Sequence, residues 1–275
     1  MPVVEPYSGS AAVSLGLLDL GLTPKVTLLE RDPLLYAFWK CVFECPEELI
    51  VKFQDTEITL DNWNGFQAFL KLDAPDDQYL LDMALAALFL NRANFSGILN
   101  AGPIGGKSQT SEYKIDCRTN KDDIICRILA LAMHSGKVEV LFGDAVELLG
   151  KLSKRKDLFI YLDPPYYNKG ELLYRYYYKL KHHKALAQVL SAAKFKWLLS
   201  YDVHHVIEFL YEDFHVSKQT LRYSARSPKQ HQELLISNFE LAENALADFL
   251  PPRRQRHWPS ENALESQAPG QLIGA

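Results

Sequence analysis

The chain has 275 residues, 48% of them hydrophobic and 23% charged, with a formal net charge of -4. These values are ordinary for a globular protein with one large core, and they give no general argument for a polyanionic partner. No apolar run reaches the roughly 18 residues of a membrane span, and no signal peptide precedes the first polar segment. The four cysteines form no CxxC pair, so we expect reduced thiols, no metal site and a cytoplasmic protein.

The amino-terminal segment alternates short apolar runs with helical patterns. Gly21 and Pro46 each end a predicted helix. The elements predicted here, in chain order, are a strand at 3–6, a helix at 11–20, a strand at 25–29 and a helix at 34–44. This order is one βαβα unit, which is typical of an α/β fold.

Residues 47–122 break that rhythm. They contain one predicted helix at about 78–91, followed by a stretch at 96–110 that is rich in Gly, Ser and Asn. Long Gly-rich loops inside compact domains are usually functional or mobile. We interpret 47–122 as a mainly helical insertion between sheet units.

The second half returns to strand and helix alternation. The predicted strands lie at 138–142, 158–162 and 196–200, the helices at 123–134, 145–152, 183–193 and 203–211, and a closing hairpin at 214–217 with 233–237. From about residue 251 the composition predicts a disordered tail, 251–275. The fold class predicted is α/β, a doubly wound and mostly parallel sheet with an antiparallel C-terminal hairpin. Residues 1–46 and 123–250 form its sheet domain.

The most specific motif is Asp163-Pro164-Pro165-Tyr166, which follows the apolar run 158–162. Ligands bind at the carboxyl ends of strands in open α/β sheets. Two consecutive prolines cannot continue a strand ladder, so they fix a rigid loop. The loop offers a carboxylate, backbone carbonyls and an aromatic ring, which suit a planar substrate that carries an amino group.

Acidic residues follow several predicted strands: Glu5, Glu30, Asp144 and Asp163. Glu30 is suited to accept from ribose hydroxyls, and equally to be a solvated charge. Asp144 is suited to accept from an adenine amino group, or to cap the next helix. Four acids at four strand ends together predict a nucleoside groove. The turn at 5–11 contains Gly9 but no GxGxxG pattern, which argues against NAD or FAD.

These segments resemble the Dam-like family of S-adenosylmethionine-dependent adenine-N6 DNA methyltransferases. The resemblance covers about residues 3–238. It is carried by VEPYSGSAAVSL, the acid of LLERDPLLY, NRANFSG at 91–97, FGDAVELL, YLDPPYYNKGELLY, WLLSYD and ELLISN. It implies a Rossmann-like methyltransferase domain in which 47–122 is the DNA target-recognition region.

The resemblance also implies residue roles. Catalysis falls to Asp163, Pro164, Pro165 and Tyr166. Binding of S-adenosyl-L-methionine falls to Glu5, Pro6, Tyr7, Ser8, Gly9, Glu30, Arg31, Asp144, Ala145 and Asp163. Contact with double-stranded DNA falls to Asn91, Arg92, Asn94, Phe95, Ser96, Lys107, Arg118 and Lys169.

The chemistry follows from the residue types. Hydrogen bonds from an adenine amino group to Asp163 and the Pro164 carbonyl would localise the nitrogen lone pair for attack on a sulfonium methyl. The base must leave the duplex to reach such a loop, and Tyr166 would then stack on it. Catalysis of this kind depends on positioning and dipoles and needs no cysteine nucleophile.

Two departures from the family pattern are visible. Relatives usually carry an upstream segment with a glycine pair and a lysine, whereas this chain begins at the cofactor loop, and Ala11 stands where a second glycine is usual. Two alternatives therefore stay open: a methyltransferase for an RNA adenine or a protein glutamine, and a silent DNA-binding remnant. We expect a bacterial or phage-encoded monomer, with a cognate restriction endonuclease as an open possibility.

Overall fold

The computed structural model describes residues 1–168, 170, 174–222 and 230–241, without the side chains of 220–222, 230 and 231. Lys169, predicted to contact DNA, and the tail predicted at 251–275 lie outside the described residues.

The described strands form a single mixed sheet. They are β1 (Val3–Glu5), β2 (Val26–Glu30), β3 (Val138–Phe142), β4 (Phe159–Leu162), β5 (Lys196–Asp202), β6 (His215–Arg222) and β7 (Gln230–Ser237). Their order in the sheet is β3-β2-β1-β4-β5-β7-β6. The first five are parallel, and β7 runs antiparallel to both β5 and β6. The predicted fold class, mostly parallel with an antiparallel C-terminal hairpin, is confirmed.

The described α-helices fall between the strands and within 47–122. They are α1 (Ala12–Asp19), α2 (Pro33–Glu44), α3 (Pro46–Asp55), α4 (Leu60–Phe66), α5 (Leu80–Ala93), α6 (Lys121–Ala132), α7 (Ala145–Leu152), α8 (Leu180–Ala192) and α9 (His205–Leu210). Local chemistry sets several ends: Asp32 caps α2 through the Leu34 amide, and Pro33 fits its first turn. Helices α3 and α4 were not predicted from the sequence.

The core covers both faces of the sheet. Val3 and Val4 alternate along β1 and belong to two different hydrophobic clusters, because successive strand side chains point to opposite faces. One cluster joins β1–β3 to α1, α2, α3 and α5, and the other joins β4, β5 and β7 to α8. Burial on both faces is what near-continuous apolar strands require.

No strand falls within 47–122, so this stretch does separate β2 from β3. Its helix α5 is nevertheless part of the core, since the side chains from Met83 to Leu90 are buried and pack against α2. The DNA-recognition role of 47–122 stays a prediction. Within the part of the chain described, no helix is long and apolar enough to cross a bilayer.

Candidate active site

Topology brings the four predicted acids to one edge of the sheet. Strands β3, β2, β1 and β4 are neighbours and parallel, so their carboxyl ends lie side by side. The order of strands reverses between β1 and β4, and a cavity of about 610 Å³ opens there. Its lining includes Glu5, Pro6, Tyr7, Ser8, Gly9, Glu30, Arg31, Asp144, Ala145, Asp163 and Pro165. Every residue predicted to bind the cofactor therefore lines this cavity.

The loop between β1 and α1 is held by buried acids. The Ser14 amide in α1 donates to Glu5 Oε2 at 3.1 Å. Gly9 has φ of +43° and Ala11 φ of +50°. This left-handed region disfavours a side chain, so the backbone at Ala11 has the conformation that a glycine would relieve. The sequence departure noted at this position has a structural counterpart.

Glu30 is saturated by its own chain. Its Oε2 accepts from Ser8 Oγ at 3.0 Å and from the Gly9 amide at 3.2 Å. Its Oε1 accepts from the amides of Arg31 and Asp32 at 2.9 and 3.0 Å. Two acceptor positions on each oxygen are thereby used. To accept from a ribose, as predicted, Glu30 must exchange one of these partners for a ligand hydroxyl.

Burial raises the pKa values of acids in this cavity. Desolvation raises the pKa of Glu5 to about 7 and raises the pKa of Glu30, in each case against hydrogen bonds that lower it. The cavity thus contains carboxyl groups whose ionised form is disfavoured by burial. A cationic sulfonium ligand would stabilise these carboxylates by Coulomb attraction.

Asp144 takes the capping role, whereas its contact with an adenine amino group stays a prediction. It lines the cavity and also caps α7, where its Oδ1 accepts from the Glu147 amide at 3.1 Å. Arg31 lies over the rings of Phe142 and Tyr176, at 5.5 and 4.9 Å from the centroids. This contact fixes one wall of the cavity.

The Asp163–Tyr166 loop meets the cavity from the β4 side. Ser200 Oγ donates to Asp163 Oδ1 at 2.9 Å, and within the described residues no donor reaches Oδ2. Desolvation raises the pKa of Asp163 to about 6, although the Ser200 hydrogen bond opposes this. Pro164 and Pro165 are buried. Tyr166 is half-buried and donates its hydroxyl to Glu233 Oε1 at 3.3 Å.

An aromatic segment missed as part of the site closes the cavity. Tyr174, Arg175, Tyr176 and Tyr178 all line it. None of these four residues was among those predicted from the sequence to form the site. Arg175 is half-buried and forms an ion pair, with Nη1 at 2.9 Å from Asp32 Oδ1, and its Nη2 donates to the Leu70 and Leu72 carbonyls. Arg175 therefore ties the segment to α2 and to 47–122.

The residues predicted to contact DNA are not equally exposed. Phe95, Ser96 and Lys107 are exposed, and Ser96 has φ of +56°. Asn91 lines the cavity, and Arg92 is half-buried and donates to the Arg118 carbonyl at 2.7 Å.

Asn94 requires a correction. It is fully buried, its Oδ1 accepts from Trp63 Nε1 at 2.6 Å, and its Nδ2 donates to the Ile98 and Leu99 carbonyls. The side-chain amide of Asn94 therefore holds the loop by internal hydrogen bonds, and its buried atoms are not accessible to DNA. Arg118 is half-buried and donates to the Asn94 carbonyl at 3.4 Å, which supports the same loop.

The cavity suits S-adenosylmethionine in size and chemistry. Ligand pockets usually measure roughly 300–1,000 Å³, and this one places carboxyl groups and loop amides beside aromatic side chains. A Cβ placed on Gly9 would meet only the Tyr7 carbonyl, at 3.9 Å, so the loop backbone faces open space. The residues present therefore fit the cofactor that the resemblance implies.

Comparisons with solved structures find methyltransferases. The chain has 13% identity and a TM-score of 0.38 with rRNA methyltransferase aviRa from Streptomyces viridochromogenes, covering 86% of this chain and 76% of that one. With yhhF from Escherichia coli, named as a candidate methyltransferase, it has 9% identity and a TM-score of 0.34, covering 86% and 75%. Likenesses this weak carry no argument about substrate.

A comparison with curated protein sequences finds no match. A family model, D12 class N6 adenine-specific DNA methyltransferase, matches residues 1–225. This is most of the chain, and it includes β1, the loop between β1 and α1, residues 47–122 and the Asp163–Tyr166 loop. The chain belongs to the D12 class of N6 adenine-specific DNA methyltransferases, enzymes that take their methyl group from S-adenosylmethionine.

Proposed function

We propose that the cavity between β1 and β4 is the methyl-transfer site, with a cofactor side and a substrate side. The cofactor side comprises the loop from Glu5 to Gly9 together with Glu30 and Asp144. Its hydrogen-bond donors and acceptors would hold the amino acid and nucleoside parts of S-adenosylmethionine. When bound, this cofactor supplies a sulfonium methyl group that is open to nucleophilic attack.

The substrate side comprises Asp163 and the two prolines. Asp163 Oδ2 would accept a hydrogen of the adenine amino group, and the Pro164 carbonyl would accept the other. These bonds turn the nitrogen lone pair out of conjugation and toward the methyl group. Positioning of this kind supplies most of the rate enhancement. Tyr166 would stack on the base after it has left the duplex.

The DNA contacts would come from the exposed part of the predicted set. Phe95 and Ser96 stand at a loop tip beside the cavity lining at Gly97 and Ile98. Lys107 is exposed farther along the same stretch, where it can meet a phosphate. Lys169 stays a prediction from sequence. We do not include Asn94 in this surface, because of its burial.

The observation that carries the proposal is the shared cavity: Glu5, Glu30, Asp144 and Asp163 line one space. Its test offers purified protein and methyl-labelled cofactor to unmethylated duplex DNA, to RNA and to a protein extract. We expect label on adenine N6 in DNA only. Asp163→Ala should lower the rate by at least about 100-fold while calorimetry still detects cofactor binding.

Asp157→Ala is the matched control, since Asp157 is an exposed acid ahead of the opposite end of β4. It should keep the activity of the wild type. Label on RNA or on glutamine would overturn the choice of substrate. DNA binding without cofactor binding would instead establish the silent remnant.

Three finer expectations accompany this proposal. The protein would act as a monomer, in the cytoplasm of a bacterium or of a phage-infected cell, and a cognate restriction endonuclease is an open partner. Cys41, Cys45, Cys117 and Cys126 are all free thiols, which supports a reducing compartment. Sedimentation at micromolar concentration would test the monomer, and a dimer would contradict it.

A further inference from the structure

Strand β5 reaches the catalytic loop with two side chains. Ser200 and Asp202 are two residues apart, so they project from the same face of β5. Ser200 Oγ donates to Asp163 Oδ1 at 2.9 Å. The Asp202 carboxylate accepts from the Tyr167 amide at 2.9 Å and from the Asn168 amide at 3.1 Å. The loop from Asp163 to Tyr166 is thus held at both of its ends by one strand.

This strand is a rigid support. It lies between β4 and β7 and is hydrogen-bonded to both. On its other face Trp197, Leu199 and Tyr201 are fully buried in the core. Side chains on such an element are held more precisely than those on loops. The support therefore has few ways to move relative to β4.

The bond from Ser200 decides which oxygen of Asp163 faces a ligand. With Oδ1 engaged by the hydroxyl, Oδ2 is the oxygen left for an amino hydrogen. The Tyr161 hydroxyl lies 3.3 Å from Ser200 Oγ. Since the Ser200 hydroxyl donates its hydrogen bond to Asp163, Tyr161 is the donor in this second bond. The two hydrogen bonds therefore run in one direction, from Tyr161 through Ser200 to Asp163.

The two amides held by Asp202 decide where Tyr166 stands. Tyr167 and Asn168 directly follow the catalytic residues, and charge-assisted bonds to a carboxylate are stronger than neutral ones. Tyr167 is also stacked on His204, at 4.1 Å between ring centroids. The backbone leaving the loop is therefore fixed in direction as well as in distance.

We propose that Ser200 and Asp202 are positioning residues for methyl transfer: Ser200 orients the Asp163 carboxylate, and Asp202 fixes the backbone that presents Tyr166. The inference rests on the proposed roles of Asp163 and Tyr166. Neither residue is itself part of the cavity lining, so both act through the loop.

The first test is the pH dependence of Ser200→Ala. Loss of the hydroxyl removes a bond that favours the charged carboxylate. The acidic midpoint of kcat/KM, about pH 6 in the wild type if Asp163 governs it, should rise by roughly half a pH unit to one unit. At pH 8 kcat should fall by about 10-fold. Ser200→Thr, which keeps a hydroxyl, should restore the midpoint.

A carbon-13 titration of labelled aspartates gives the same information without turnover. The resonance that is absent from Asp163→Ala reports Asp163, and its midpoint should move upward in Ser200→Ala. Ser237→Ala is the matched control: Ser237 is buried on β7 and donates to the Phe239 carbonyl. It should leave both midpoints unchanged. An unmoved midpoint in Ser200→Ala would overturn the role given to Ser200.

The second test separates binding from turnover in Asp202→Asn. One amide then faces an NH2 group in place of an acceptor, so kcat on unmethylated genomic duplex DNA should fall by about 10-fold or more. The dissociation constant of the cofactor should stay within about threefold, because the cavity lining is intact. Asp213→Asn, an exposed acid after α9, serves as the control.

An Asp202→Asn enzyme with wild-type kcat would overturn the role given to Asp202. Asp163→Ala, measured beside these variants, distinguishes a failure of the positioning inference from a failure of the proposed site. If Asp163→Ala is inactive while both β5 variants behave as wild type, only the positioning inference fails. If Asp163→Ala is fully active, the proposed site fails first.

Discussion

The two sides of the cavity differ in the number of hydrogen bonds that their carboxyl groups accept from the protein. On the cofactor side, Glu30 accepts four hydrogen bonds from its own chain, from Ser8, Gly9, Arg31 and Asp32. On the substrate side, Asp163 accepts one from the residues that the structure describes, the bond from Ser200. Burial raises the pKa of both acids. The cofactor side is thus organised around a satisfied acid, whereas the substrate side keeps an unsatisfied one.

The difference shows what each acid contributes before any ligand arrives. Glu30 shapes the loop between β1 and α1, so it stabilises the fold in addition to any role in ligand binding. Asp163 contributes little to the fold, because a buried carboxylate with one partner costs stability. Unsatisfied polar groups of this kind collect at functional sites. Measurements of stability in variants of these acids test the difference between Glu30 and Asp163.

The largest effect on stability is expected for Glu30→Ala. The change leaves four donors without their acceptor, and we expect the free energy of unfolding to fall by roughly 2–4 kcal/mol. Asp144→Ala is the control, since this acid also follows a strand, but in the described part of the chain its side chain accepts one hydrogen bond, from the Glu147 amide. It should cost about 1 kcal/mol. Urea unfolding of the two variants checks the order, and equal losses would contradict the saturation of Glu30.

Asp163→Asn is expected to change stability in the other direction. The folded pKa of Asp163 is about 6, above its usual 3.8, so the folded state keeps a proton that the unfolded chain releases. Wild-type stability therefore falls as pH rises from about 4 to about 6. Asparagine cannot ionise and can still accept from Ser200. Above pH 6 the variant should be more stable by about 1–2 kcal/mol, with no gain below pH 4.

Thermal unfolding at pH 4, 6 and 8 measures this gain. Asp157→Asn, at an exposed position, is the control and should not show a gain that grows with pH. A loss of stability in Asp163→Asn at pH 8 would mean that the acid is a structural anchor like Glu30, and the contrast between the two sides would disappear.

The smallest effect is expected for Ala11→Gly. Ala11 has φ of +50° and is fully buried at the start of α1. Glycine adopts this conformation without strain, so stability should rise by up to about 1 kcal/mol. Ala130→Gly, at an exposed position inside α6, should instead lose about 1 kcal/mol. Chemical unfolding that places both variants on the same side of the wild type would contradict the strain at Ala11.

Much of the fold was predictable because it depends on local patterns. The strands at 138–142 and 158–162 are apolar runs, and their ends agree with β3 and β4 to within one residue. The helix at 145–152 begins at its cap, Asp144. By contrast, α3 and α4 were missed, because the sequence at 47–66 is mixed in polarity and their burial depends on contact with α5 and α6.

The site divides in the same way. The acids at the strand ends and the loop from Asp163 to Tyr166 could be named from sequence, since a strand followed by an acid or by two prolines is a local signal. Asn94 was placed on the DNA, and only its packing against Trp63 reveals its structural role. Arg175 was not predicted as a site residue, and only its pairing with Asp32, 143 residues away, shows that it helps to form the cavity.

The sequence by itself determined the class of fold, the family and the place of the Asp163–Tyr166 loop at the end of β4, because hydrophobic period, proline and the order of motifs are properties of neighbouring residues. Tertiary structure alone decided which acid is saturated, which oxygen of Asp163 is open, and which strand supports the loop. Those features depend on atoms that are distant in sequence and meet only when β1, β4 and β5 lie side by side. Hydrogen bonds are short and directional, so their partners become known only when the chain is packed.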